Sequence, residues 1–341
     1  MIEFNFNKHQ NKELHQTLDN FYKTKKKRIL EGCLFGGSDC SAPISSHSLS
    51  LCWLKLIARN GFITRLKFNP RQAGKQPFGV MEEREGYRTC STFPGFCDLH
   101  DSELFKSIDS ISIEDSPQNC LLIAYRSLCH NLQAKHSNIA TMLDHHSIFR
   151  SPTPSLRDKF TRSEMFFTVH MLKVKMDFDL EIRSPSEKSK FSHLLFKYPH
   201  QLPVAGTASF LPYITPTGKA LKPKPTDWCQ FSVIPQEAGS TVILTYYRSS
   251  KSGGLLAKSL SSIIENGFAE IAFKYLLEIA DNLAISPDWW DSLESGKQNN
   301  IMQRTERGFG INENSTSPKA SHFKVNGINM FCKSTPSMLN L

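Results

Sequence analysis

The 341-residue sequence holds no run of about 18 apolar residues, so no membrane-spanning helix is expected. Its first residues, Met1-Ile2-Glu3-Phe4-Asn5-Phe6-Asn7-Lys8, place no apolar stretch behind a basic patch, and no secretory signal is expected. The glycine pairs Gly36-Gly37 and Gly253-Gly254 are not followed by Gly-Lys-Ser/Thr, which excludes a phosphate-cradling loop of that type. There is no Gly-x-Ser-x-Gly elbow for a nucleophilic serine. There is no internal repeat. What remains is ordinary for a globular chain: 39% hydrophobic and 21% charged residues, enough for about two domains.

Acidic residues are in deficit. Lys and Arg number 41 against 32 Asp and Glu, a net charge of +9. That balance favours polyanions as partners, nucleic acid foremost, and a protein partner is the other expectation. The densest basic run is Lys23, Lys25, Lys26, Lys27 and Arg28, and Arg65, Lys67, Arg71 and Lys75 make a second cluster. Lys25, Lys26, Lys27, Arg28, Arg65 and Lys67 are the candidate nucleic-acid contacts. A solvated helix face is the plain alternative for the first run.

Without a signal segment the nine cysteines are expected in a reducing cytoplasm, where metal ligation or burial is commoner than disulfide formation. Cys33 and Cys40 bracket a loop, Cys-Leu-Phe-Gly-Gly-Ser-Asp-Cys, and His47 follows. A helix and a strand later comes Cys90-Ser-Thr-Phe-Pro-Gly-Phe-Cys97-Asp-Leu-His100-Asp101. Two ligand-bearing loops separated by regular structure suit tetrahedral zinc. Two ligand sets are open. Cys33, Cys40, Cys97 and His100 would make a structural centre. Cys33, Cys40, Cys90 and Cys97 would instead free His47, His100 and Asp101 for a catalytic divalent ion such as Mg, with a histidine as general base. Loop geometry favours the first. Cys52, Cys120 and Cys129 fall on apolar helical faces and read as core. Cys229 and Cys332 lack ligand spacing, and His145-His146 read as surface residues.

The order of knuckle, His47 and second knuckle over residues 33–101 resembles the ββα-metal HNH nucleases, a zinc-bound treble-clef module. The resemblance implies that His47 is the water-activating base and that His100 stands at the divalent-metal position. The acidic residue usual before the first histidine is Ser46 here, and the middle asparagine has no match beyond Asn60. The run Gly95-Phe96-Cys97-Asp98-Leu99-His100-Asp101 is also similar to a motif of uncharacterised bacterial proteins, which suggests a phage-defence setting.

The expected fold is α+β: a zinc-knuckle module followed by a domain with an antiparallel sheet and a long helix. The expected divisions are a basic amphipathic helix over 1–32, built on Leu14, Leu18, Phe21 and Tyr22, the zinc module over 33–116 and a helical connector over 117–150. A linker then leads to an α+β domain over 158–296 and a polar, poorly ordered tail over 297–341. Within these, a short helix over 49–58, a strand at 62–68, a polar loop over 69–89 and a helix over 117–146 are expected. Residues 158–180 fit a helix or a strand. Strands are expected at 193–198, 203–211, 229–235 and 240–247, then a helix over 255–284 and a short helix after Ser286. The function expected is a zinc-containing nucleic-acid-binding protein, with metal-dependent endonuclease activity under the HNH resemblance. The alternative is a non-enzymatic sensor or adaptor with structural zinc.

Overall fold

The computed structural model describes residues 32–68, 79–144, 154–264, 275–280, 282–308 and 337–340. The expected N-terminal helix, its basic run, Arg71, Lys75, His145, His146 and Cys332 lie outside the described residues.

The architecture is mixed α and β, with antiparallel sheets and packed helices. Among the described residues strand β1 (Ser45–His47) pairs only with β4 (Thr92–Pro94), His47 facing Thr92. Helix α1 (Leu51–Ile57), β2 (Phe62–Phe68) and β3 (Val80–Gly86) lie between them in sequence. Helix α2 (Asp98–Leu104) follows β4 directly. Then come two long helices, α3 (Pro117–Asp144) and α4 (Pro154–Arg183). Tyr125 reaches Asp179 and Cys129 feels the charge of Lys175, so α3 and α4 run antiparallel.

Strands β5 (Phe191–Tyr198), β6 (Val204–Phe210), β7 (Cys229–Gln236), β8 (Gly239–Tyr247), β9 (Asn282–Ile285) and β10 (Ser337–Asn340) complete the large sheet. Its order is β10-β5-β8-β7-β6-β9-β2-β3, antiparallel throughout. Helix α5 (Lys251–Ile264) follows β8, and α6 (Pro287–Asp291) and α7 (Ser295–Gly308) follow β9.

Successive strand residues point to opposite faces. Leu194, Phe196, Val242, Leu244, Phe231 and Val233 therefore enter one core, with Leu256 and Leu260 of α5, Trp290 of α6 and Ile301 of α7. Phe191, Leu195, Ile234 and Ile243 enter the other, with Tyr125, Leu128, Val174 and Phe178 of α3 and α4. Central strands buried on both faces need near-continuous apolar sequence, which β7 and β8 have.

Strands β5 to β8 and helices α1, α3 and α6 fall within a few residues of expectation. Several expectations are corrected. The sheet crosses the division expected near residue 150, because β2 and β3 extend it beyond β9. The polar stretch before residue 89 contains β3, an edge strand whose charges answer those of β2: Lys67 pairs with Glu83 and Glu85. Residues 154–157, expected in a linker, begin α4. Residues 282–284, expected in a helix, form β9 because β6 offers them a ladder. The tail contains α7 and β10. Among the described residues no helix is long and apolar enough to cross a membrane.

Candidate metal centre

The loop before β1 doubles back through glycines with positive φ: Gly32 at 85°, Gly36 at 73° and Gly37 at 145°. Gly37 stands against His100 and Cys40, and its φ of 145° is a conformation that glycine adopts and other residues rarely do, so the loop can turn over the site there. The loop is fixed at both ends. The Leu34 N–H donates to the Gly95 carbonyl at 2.8 Å, and the Ile44 N–H donates to that of Phe96 at 2.7 Å. Arg183, at the end of α4, donates to the carbonyls of Phe35 at 2.5 Å and Gly36 at 2.9 Å and stacks on the Phe35 ring at 4.0 Å. Phe35 in turn meets the His100 ring edge-on at 4.8 Å.

Cys97 occupies the N-cap position of α2 and His100 its first turn. The helical spacing turns both inward, and the Asp101 N–H bonded to the Cys97 carbonyl at 2.8 Å starts that turn. Cys33, Cys40, Cys97 and His100 converge, with one donor atom from each and all four within 4.8 Å. His100 Nδ1 lies 3.4 Å from Cys33 Sγ and 3.3 Å from both Cys40 Sγ and Cys97 Sγ. One ring nitrogen cannot make three hydrogen bonds with its single proton or lone pair. Three near-equal contacts instead describe donors around a common centre. Tetrahedral zinc, with bonds of about 2.3 Å to sulfur and 2.0–2.1 Å to nitrogen, separates those donors by about 3.6 Å. The four residues fit a structural metal such as zinc.

The thiols are differently poised. Burial pushes Cys40 up to about 11, helped by the adjoining Cys33 and Cys97 thiols. Burial also acts upward on Cys97, but the N–H groups of His100 and Ser41 and the Cys33 and Cys40 thiols outweigh it and bring that thiol down. Burial and the Arg183 charge hold His100 below its ordinary value, against Asp39. A neutral imidazole is what a metal ligand requires.

Of the two ligand sets, the structure assembles the one with His100. Cys90 is buried away from the cluster, where Arg65 Nη1 contacts its sulfur at 3.4 Å. Cys120, Cys129 and Cys229 are buried, and Cys52 is partly buried beside the Asp109 carbonyl.

His47 stands at the end of β1 and is not in the cluster. Its Nε2–H donates to the Arg88 carbonyl at 3.0 Å. Burial and Arg126 hold the ring below its ordinary pKa, against the Arg88 carbonyl, Asp101 and Asp109. Those carboxylates are taken. Arg126 of α3 donates to Asp109 at 2.7 and 3.2 Å and to Asp101 at 3.2 Å, its guanidinium over the Phe105 ring at 4.3 Å. The Arg126 side chain is 2% exposed. Sequence reasoning missed this residue, because one arginine in an apolar helix carries no motif.

Arg65 and Lys67 are matched internally. Arg65 donates to Asn282 at 2.9 Å, and Lys67 pairs with Glu83 and Glu85 at 3.0 Å each. The Asn282 amide donates to Ser48 at 2.6 Å and Ser91 at 2.9 Å, with the Thr207 hydroxyl 3.5 Å from the same nitrogen. This buried knot fastens the short β1–β4 ribbon to the large sheet. Compared with protein-family models, curated proteins and solved structures, the chain matches none of them.

Proposed function

We propose that the chain is a zinc protein whose metal is structural, and that it acts as a non-enzymatic sensor or adaptor. The observation that carries this reading is the convergence of four protein donors, three thiols and one imidazole. Structural zinc sites are closed by four protein ligands, whereas catalytic ones keep a position for water. The ion would tie the loop of Cys33 and Cys40 to α2 and, through Arg183, to the end of α4. The test is elemental analysis of the purified chain. About one zinc per chain is expected, lost in Cys97→Ser, with a lower melting temperature. A metal-free wild type that melts no lower after chelation refutes the reading.

One arrangement favours a second reading, an HNH-like nucleic-acid enzyme. The order is a ligand-bearing loop, β1, β4 and then a helix whose N-cap and first turn carry the last two ligands, with His47 ending β1. In that reading His47 Nδ1 would take a proton from water and a second divalent ion would stabilise the phosphorane. With Arg65 and Lys67 matched internally, contacts to the backbone would fall mainly to Lys25, Lys26, Lys27 and Arg28. Plasmid nicking in Mg that His47→Ala abolishes supports this reading. Absence of nicking, or equal nicking by both proteins, leaves the structural one.

A further inference from the structure

The metal cluster is uneven toward solvent. Cys33 and Cys40 are half-buried, whereas Cys97 is fully buried. Between the outer pair Gly37, Ser38 and Asp39 are exposed, and so are Ser41 and Ala42 beyond it. The two outer sulfurs lie within 4.8 Å of each other, and the Cys40 thiol adjoins that of Cys33. A small oxidant dissolved in water therefore meets this pair first.

The three cysteines also differ in freedom to move. Cys33 and Cys40 share one short loop, whose turn runs through Gly36 and Gly37 at positive φ. A disulfide asks for Cβ atoms about 3.5–4.5 Å apart, and a turn built on two glycines can adjust to that demand. Cys97 is fixed at the start of α2, where its carbonyl accepts the Asp101 N–H. Drawing it toward either loop cysteine would pull on that helix. The Arg183 guanidinium, whose charge outweighs that of Asp39 at His100, holds the same loop by the Phe35 and Gly36 carbonyls. Reactive cysteines stand in such electropositive, partly exposed places.

We propose that this pair is an oxidant-responsive switch, in which a hydroperoxide joins Cys33 to Cys40 in a disulfide and unlocks the loop from α2. The proposal rests on the structural-zinc reading and supplies the sensor with its stimulus. One thiolate of the pair attacks hydrogen peroxide. An S–O bond forms as the O–O bond breaks, and hydroxide leaves. The second thiolate attacks the resulting sulfenic sulfur. The S–S bond forms as the S–O bond breaks, and a second hydroxide leaves. The cysteines give up two electrons, the peroxide takes them, and two protons from solvent turn the hydroxides into water. Two of the four donors are then lost. Cys97 and His100 remain, too few to close a tetrahedral site. The loop keeps its backbone bonds to Gly95 and Phe96 and loses its tie to α2.

The test uses the full-length, reduced, zinc-loaded chain with hydrogen peroxide as the probe. A chromogenic chelator follows zinc release, and mass spectrometry maps disulfides after the free thiols are alkylated in denaturant. About one zinc per chain is expected to be lost, with Cys33 joined to Cys40 and with Cys97, Cys120, Cys129 and Cys229 alkylated. Dithiothreitol and zinc are expected to restore the starting state. Amide exchange over residues 34–44 is expected to rise at least about tenfold on oxidation, with β7 and β8 unchanged. A chain that keeps its zinc in excess peroxide overturns the switch and leaves the structural reading standing. A disulfide through Cys97 overturns the pairing, and exchange that oxidation leaves unchanged overturns the unlocking. Zinc loss that dithiothreitol does not reverse marks damage and overturns the switch as well. A wild type that neither carries nor takes up zinc fails the structural reading itself, and the proposal falls with it.

Discussion

His193 makes the fold sensitive to acid. It lies in β5, 4% exposed, with Nδ1 2.9 Å from the Thr245 hydroxyl on β8. Burial lowers its pKa to about 4, and Arg248 adds to the effect. In the unfolded chain an imidazole titrates near 6.5. Between those values the unfolded state binds the extra proton, so stability rises with pH through this window and falls as pH drops through it. Integrated from pH 7 to pH 5, the loss is about 2 kcal/mol. Urea unfolding at both pH values and constant ionic strength, on wild type and His193→Asn, isolates it. The asparagine amide can still meet Thr245 but does not titrate. The wild-type drop is expected to exceed the variant's by about 2 kcal/mol. Equal drops would show that His193 is not the group responsible.

Four further variants test the geometry. Arg126→Met leaves Asp101 and Asp109 without their shared cation and is expected to cost about 3 kcal/mol in urea unfolding. Because Arg126 lowers the His47 pKa, the same variant should raise it in an NMR titration. Cys90→Ser should retain the full metal content that Cys97→Ser loses, since Cys90 is outside the cluster. Asn282→Leu removes the partner of Arg65, Ser48 and Ser91 and is expected to lower stability by about 2–3 kcal/mol. Gly239→Ala, at φ 147°, would place a Cβ 2.2 Å from the Tyr198 carbonyl oxygen. Its melting midpoint should fall by several degrees, on the order of 2 kcal/mol or more.

The strands at the middle of the sheet were legible because burial on both faces leaves little but β-branched and aromatic residues, as in Thr241–Tyr247. β9 was not. Leu276, Ile279 and Leu283 keep helical spacing, and the ladder with β6, some 75 positions upstream, makes Asn282 to Ile285 extend. β3 was hidden by its charges, although Glu83 opposite Arg65, with Lys67 and Glu85 on the diagonals, is a cross-strand signal that could have found it. α7 shows mostly polar residues and buries few side chains, Ile301, Arg304 and Thr305 among them. At the metal centre the spacing from Cys97 to His100 was readable as one helical turn. The exclusion of Cys90 was not, because it depends on where Arg65 and Asn282 sit.

Arg126 bears most directly on the choice between the two functional readings. A metal-activated hydrolytic site needs carboxylates free to hold a cation beside the base. The carboxylates that act electrostatically on His47 are Asp101 and Asp109, and a buried guanidinium holds both. A divalent ion entering beside His47 would have to displace Arg126 or bear its repulsion at close range. The same arginine packs on Phe105 and joins α3 to α2, the helix that carries Cys97 and His100. Its charge therefore serves the support of the metal ligands while closing the neighbouring place to a second ion. That division of roles fits the proposed structural zinc better than the proposed HNH-like site.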